Sequence, residues 1–303
     1  MPDATIVIDN IVQTCDSRTV IVNYTVSNFI ATNDLIAQVP IAIYADGTLI
    51  TTTQTVAIIP IGASWSSQIS LPIPANIPAN FTLQFVVDDN GAGQGIALEL
   101  IENNNSFSIP ISLWFSPEFN ELEPLESCNE GITRATFDFS NYADLVQVNQ
   151  ADIVTFHESQ IDAENSVNAI VNSFNYIATT TPKQIFIRLE NDHCNSITSF
   201  LLLSKNCPPT VYNFISANGD GINDSFTIKG LRDIFVNFEL NLYNRWGKLI
   251  WTGNNQTENW NGYSNKGHRL DENSTSESTY YYILNLNDEG YPDPLSGYLY
   301  YTK

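Results

Sequence analysis

Basic residues are scarce in this sequence: 12 Lys and Arg stand against 33 Asp and Glu over 303 residues, a formal net charge of −21. A surface this acidic repels phosphate backbones, which argues against nucleic acid as a partner, and it can attract divalent cations. Histidine occurs three times, methionine once and cysteine four times. Cys15, Cys128, Cys194 and Cys207 include no CxxC pair, so a zinc site is not expected. No run of 18 apolar residues exists, so no helix is expected to span a membrane. GxSxG, HExxH, the Walker loop and the dinucleotide fingerprint are all missing, and His157, His193 and His268 are not gathered in one module. An enzyme is therefore not expected. The start, Met1-Pro2-Asp3, runs straight into Ile6-Val7-Ile8 without a basic leader or a small-residue cleavage site. Such a start fits a cytosolic protein or a piece of a longer secreted chain.

What is present points to β structure. Apolar residues make up 43%, enough for packed cores, and the length suits three modules of roughly 100 residues each. We place these at 1–110, 111–207 and 208–303, with charges of −8, −9 and −4. In the first, Val20, Val22, Tyr24 and Val26 alternate with polar or outward residues, as do Phe81, Leu83, Phe85 and Val87. Period-two patterning marks strands with one buried face. Asp46-Gly47, Pro60-Ile61-Gly62 and Asp89-Asn90-Gly91 supply turns between strands. The reading is all-β: three tandem Ig-like β-sandwich modules.

The first module also resembles the CARDB-type adhesion modules of bacterial surface proteins. The matching residues are 39–47 (VPIAIYADG), 59–64 (IPIGAS) and 99–106 (ELIENNNS). The resemblance implies an extracellular building block of the Ig-like kind, often found in tandem.

Residues 111–124, with Trp114-Phe115-Ser116-Pro117, read as a linker. In the second module the strongest strand pair is 185–190 with 197–204, joined by the turn-rich segment 191–196. A short helix is expected near Asp162-Ala163-Glu164, capped by Ser159. The stretch from Cys128 to Pro209 resembles a repeat found just before gliding-associated C-terminal domains. About ten extended residues separate Cys194 from Cys207, too far for a disulfide within the hairpin. If Cys128 precedes the first strand of an Ig-like topology, it lies at the pole of the 191–196 loop. We therefore expect a Cys128–Cys194 bond and leave Cys15 and Cys207 unassigned.

The last module is the most informative. Asn218-Gly219-Asp220-Gly221-Ile222-Asn223-Asp224 is an oxygen-rich loop leading into Phe226-Thr227-Ile228. Phe238, Leu240 and Leu242 alternate into Tyr243-Asn244-Arg245-Trp246-Gly247, and Lys248 to Trp251 returns as a partner strand. Trp260-Asn261-Gly262 marks a further turn, Tyr280, Tyr282, Leu284 and Leu286 alternate, and Gly297 to Tyr301 forms the final strand. About seven strands and no helix are expected. All five motifs, in this order, resemble the gliding-motility-associated (type B) C-terminal sorting domain of type IX secretion cargo. Ala217 replaces the family's usual Pro, and Ser278, after an insertion at 273–278, replaces its usual Gly.

That resemblance implies a function. It points to export through the periplasm to the bacterial cell surface, read by an outer-membrane type IX translocon and its shuttle barrel protein. It also implies a signal peptide upstream of residue 1 on a parent chain, often a large gliding adhesin. For recognition we select the turn Asn244, Arg245, Trp246 and Gly247 and the final strand with Gly297, Tyr298, Tyr300 and Lys303. Arg245 is expected to stack on an aromatic ring. Asn218, Asp220, Asp224 and the Ile222 carbonyl are candidate Ca²⁺ ligands, against a turn held by Asn and Asp side chains. Asp88-Asp89-Asn90 with Glu99 and Glu102 form a second acidic cluster, a weaker Ca²⁺ candidate. For residues 1–207 a stalk is favoured over glycan-binding accessory modules.

Overall fold

The computed structural model describes residues 1–99, 101–131, 133–266 and 277–303. Leu100, His268 and residues 273–276 of the insertion lie outside the described residues. By compactness the chain divides into two units, which cut across the boundaries expected at 110 and 207. The first comprises 1–119, 148–153 and 189–196; the second comprises 120–147, 154–188 and 197–303.

The first unit is a β-sandwich. Its strands are β1 (Thr5–Val12), β2 (Thr19–Ser27), β3 (Pro40–Ala45), β4 (Thr48–Gln54), β5 (Ser64–Pro72), β6 (Asn80–Val87) and β7 (Ser106–Ser112). They pair as a three-stranded sheet, β1-β2-β5, and a four-stranded sheet, β4-β3-β6-β7. The alternating residues read from the sequence supply the inner faces: Val20, Val22, Tyr24 and Val26 of β2 pack with Phe81, Leu83, Phe85 and Val87 of β6 in one cluster. Tyr24 meets Phe85 across the sheets at 5.2 Å between ring centroids. Asp46-Gly47 closes the β3–β4 hairpin, and the Asp46 carboxylate accepts the Thr82 N–H at 2.8 Å. The strand runs past the expected boundary: β7 ends at Ser112, and Leu113 is buried with its N–H on the Ala79 carbonyl. The linker therefore begins later than residue 111.

Between residues 125 and 205, which fall mostly in the second unit, lie β8 (Leu125–Cys128), β9 (Ala135–Phe137), α1 (Tyr142–Val146), β10 (Ile153–His157), α2 (Gln160–Asn165), β11 (Tyr176–Ala178), β12 (Lys183–Glu190) and β13 (Asn195–Lys205). The sheet order is β10-β12-β13-β8, with β9 paired to β11. Phe139 centres a ring cluster, 5.1 Å from Phe156, 5.6 Å from Tyr176 and 5.5 Å from Phe200. The expected helix is α2, and Ser159 caps it by accepting the Asp162 N–H at 3.1 Å. Helix α1 was not expected; five residues with one buried side chain give too little periodicity to read.

The disulfides are Cys15–Cys194 and Cys128–Cys207, with Cα separations of 5.9 and 5.4 Å. This corrects the Cys128–Cys194 expectation. Strand β8 runs parallel to β13, with Cys128 opposite Lys205. Cys128 therefore lies at the end of β13, beside Cys207, whereas Cys194 lies at its beginning. The sequence argument placed Cys128 before an antiparallel first strand, which put it at the wrong pole. The exclusion of Cys194–Cys207 agrees with the observed bonds.

Among the described residues seven further strands follow: β14 (Thr210–Val211), β15 (Phe214–Ser216), β16 (Ile228–Lys229), β17 (Glu239–Tyr243), β18 (Leu249–Gly253), β19 (Ser278–Asn285) and β20 (Leu295–Thr302). They form a five-stranded sheet, β15-β20-β19-β17-β18, and a small pair, β14-β16. The strand expected at 226–228 is observed at Ile228–Lys229, and Phe226 instead donates its N–H to the Trp260 carbonyl at 2.7 Å. One face of the five-stranded sheet is buried by Leu240, Leu242, Trp251, Tyr280, Tyr282, Leu284, Leu299 and Tyr301. Phe226, Leu231, Phe235 and Trp260 cover it from the irregular segments between strands.

Candidate recognition surface of the C-terminal domain

Strand β20 lies inside its sheet, parallel to β15 on one side and antiparallel to β19 on the other. From Tyr300 to Thr302 its backbone is paired on the β15 side as well, whereas Leu295–Leu299 pairs with β19 alone. The end of the last strand is therefore not a free edge, and there its outward side chains are what a partner can reach.

Alternation decides which those are. Tyr280, Tyr282, Leu299 and Tyr301 point into the core, which sends Tyr281, Ile283, Tyr298 and Tyr300 to the other face. Register then aligns them in rows. Phe214 pairs with Tyr300, and Tyr300 with Thr279; Tyr298 pairs with Tyr281, and Tyr281 with Tyr243. Phe214 and Tyr300 stack with ring planes 16° apart. The outer face thus carries an aromatic band of Phe214, Tyr300, Tyr298, Tyr281 and the half-buried Tyr243. Tyr298 is 56% exposed. Phe214, Tyr281 and Tyr243 were not among the residues selected from the sequence. The period-two pattern that put Tyr280 and Tyr282 inside also placed Tyr281 outside, so that signal was available.

Gly297 belongs elsewhere. It sits opposite Tyr282, and a Cβ there would come within 2.9 Å of that ring. Its bare backbone makes room for a core tyrosine and shares no face with Tyr298. Lys303 donates its backbone N–H to Glu277 at 3.4 Å.

The turn 244–247 is built by Asn244. Its Oδ1 accepts the N–H groups of Trp246 and Lys248 at 3.1 and 3.0 Å, and its carbonyl accepts the Gly247 N–H at 2.9 Å. Gly247 closes the turn at φ +75°, a conformation that costs glycine little. Trp246 projects from the tip, 76% exposed, with the Arg245 guanidinium 4.6 Å from its ring centre. That is cation–π distance. Trp251 and Trp260, by contrast, are core residues. Gly262, at φ +97°, lets the backbone pass against the Tyr301 ring, where a Cβ would fall 2.4 Å from the hydroxyl.

Arg232 is a further residue that sequence reading missed. It donates to the Asn255 and Thr257 carbonyls and to Asn259 Oδ1, and lies 5.5 Å from the Phe238 ring centre. It ties the 254–259 loop to the covering layer.

The loop 218–224 consists of Asx turns. Asp224 accepts the N–H groups of Gly219 and Gly221, both at 2.8 Å. Asp220 accepts the Ile222 N–H at 2.8 Å and the Asn218 amide at 3.0 Å. All four carboxylate oxygens are thus engaged by donors of the same loop. That is the alternative to Ca²⁺ ligation by Asn218, Asp220, Ile222 and Asp224. Two of the histidines are engaged locally: His157 bonds Thr155 and the Val167 carbonyl, and His193 stacks 4.3 Å from Trp114.

The C-terminal segment is thus a small all-β domain whose sheet buries one face and carries exposed aromatic side chains on the other. Residues 209–301 match the CHU_C type IX secretion signal domain, and residues 124–208 match the Flavobacterium inter-domain disulphide bond domain. The chain therefore carries a type IX export signal. Cys128–Cys207 lies within the second matched segment, and Cys194 joins it to Cys15 outside. No curated protein matches the chain. Among solved structures, it is similar to a CARDB domain from Pyrococcus furiosus in complex with di-metal ions. That match has 18% identity and a TM-score of 0.29, covering 37% of this chain and 88% of that one. It is also similar to the I-band fragment I67–I69 of titin, at 10% identity and TM-score 0.42, covering 100% and 98%. No helix among the described residues is long and apolar enough to cross a membrane.

Proposed function

We propose that the aromatic band and the Trp246–Arg245 tip are the features the type IX machinery reads on this domain. The partners would be the outer-membrane translocon and its shuttle barrel protein. The observation that carries this reading is the exposure of large aromatic side chains on a domain whose core has its own full aromatic complement. Exposed tyrosine and tryptophan are enriched where proteins anchor to partners. A folded handle with rigid side chains can be recognised without unfolding the modules it carries.

The remaining residues are the freight. We assign them to a secreted cell-surface adhesin, with the first two sequence modules as stalk or adhesion units. Two disulfides support an extracytoplasmic location, since such bonds form in oxidising compartments. The test is secretion of the whole chain, fused behind a periplasmic signal peptide, from a bacterium with a type IX system, comparing wild type with Trp246→Ala and Tyr281→Ala/Tyr298→Ala. Loss of export with the fold intact supports the assignment. Unchanged export by both variants refutes it.

A further inference from the structure

The first sandwich buries negative charge without a positive partner. Residues 1–110 contain nine acidic side chains and a single basic one, Arg18. Arg18 is committed to the carbonyls of Ile73, Pro74 and Ile77. Yet Asp3, Asp88, Asp89 and Glu99 are all buried. An isolated buried charge is costly unless it is paired or holds a metal.

Two of the four are accounted for. Asp88 accepts the N–H groups of Ile96 and Ala97, and Asp89 those of Gly91 and Gly93 together with the Tyr44 hydroxyl. These bonds fold the loop that follows β6. The other two lie where that loop returns to β7. Asn105 donates its amide to Glu99 Oε2 at 2.9 Å, and Asn104 donates its amide to both Asp3 oxygens at 3.2 and 3.3 Å. Both amides therefore have their NH₂ on a carboxylate, and flipping either would lose that bond. This leaves three oxygens buried without a hydrogen-bond partner: Glu99 Oε1, Asn104 Oδ1 and Asn105 Oδ1. Glu99 is 4% exposed and Asn105 is 9% exposed. The Glu99 N–H reaches Glu102 Oε1 at 3.2 Å, and Asn104 and Asn105 are neighbours in the chain, which links the two amide–carboxylate pairs.

We propose that Glu99, Asn104 and Asn105, with Asp3 and Glu102 supplying charge, form a Ca²⁺ site at the junction of the N-terminal arm and the loop entering β7. The unpartnered atoms are hard oxygens of one carboxylate and two amides, a donor set that suits Ca²⁺ and not zinc. Among the described residues no three acidic, histidine or cysteine side chains converge as a metal cage, so the amide carbonyls are essential to the coordination. The site is separate from loop 218–224 and does not depend on the export reading.

The experiment is calorimetric titration of the full chain with CaCl₂ alone, paired with thermal unfolding in chelator and in calcium. We expect one site per chain, with Kd of about 10⁻⁴–10⁻³ M as in extracellular modules, and a calcium-dependent rise in Tm. Glu99→Gln should raise Tm in chelator, by removing the uncompensated charge, and should abolish the calcium response. Asn104→Ala, which removes one ligand from a half-buried side chain, should weaken binding at least about tenfold. Asp220→Asn/Asp224→Asn should leave the response unchanged. No heat and no shift with calcium would overturn the proposal. So would a response that survives both Glu99→Gln and Asn104→Ala, or one lost only in the 220/224 variant. If Glu99→Gln does not fold, Asn104→Ala decides alone.

Discussion

Tyr281 and Tyr298 face each other across the antiparallel β19–β20 pair, and both point away from the core. A cross-strand aromatic pair contributes only about 0.2–1 kcal/mol to a sheet. Tyr281→Ala/Tyr298→Ala is therefore expected to lower the melting temperature slightly while reducing export strongly. Thermal unfolding of the purified chain and a secretion assay on the same variant give the two readouts.

Gly297 lies one residue away on the opposite face, beneath Tyr282, and the reverse outcome is expected there. Gly297→Val forces a side chain against that ring, an overpacking change that costs about 1–3 kcal/mol. It should lower domain stability, and export only in proportion to the unfolded fraction.

Arg232 fastens a loop by several charge-assisted bonds, each worth about 1.5–3 kcal/mol. Arg232→Ala is expected to destabilise the C-terminal domain by more than 2 kcal/mol, roughly, since it strands the carbonyls of residues 255 and 257. Chemical denaturation followed by tryptophan fluorescence would register this, because Trp251 and Trp260 belong to the same core.

The disulfide pattern is directly checkable. Peptide mapping without reduction should return Cys15–Cys194 and Cys128–Cys207. Removing Cys128–Cys207, which spans 79 residues, should cost about 4–5 kcal/mol by chain entropy. A recovered Cys128–Cys194 peptide would contradict the parallel placement of β8.

Asp16 gives a pH-dependent contact. The Ser116 hydroxyl, and then its N–H, hold the Asp16 carboxyl below its usual 3.8. A depressed carboxyl stabilises the fold above the unfolded value, and that stabilisation is lost as pH falls through the lower folded value. Protection of the Ser116 amide from exchange should therefore fall on acidification below 3.8. Asp16→Asn should remove that dependence.

Much of the fold was legible because alternation is a local signal. The inner residues of β2, β6 and β19 follow directly from their period of two, and Ser159 marks the start of α2 because its hydroxyl can accept the N–H of Asp162 three residues on. Non-local order was not legible. Nothing within Leu125–Cys128 says that β8 pairs in parallel with a strand some 80 residues on, and the cysteine pairing failed for that reason. Likewise, the composition of Gly297–Tyr300 reads as one recognition strand, whereas pleating divides it between a core face and an outer one. The Asn/Asp-rich loop 218–224 and the cluster at 99–105 look alike as sequence. Only hydrogen-bond accounting separates carboxylates satisfied by their own loop from oxygens left bare.

The most direct test of the account is secretion of the chain, fused behind a periplasmic signal peptide, with and without residues 209–303 in a bacterium carrying a type IX system. Export of the full chain to the cell surface or medium, with retention of the shortened form in the periplasm, is the expected result. Equal appearance of both forms outside the cell would contradict it.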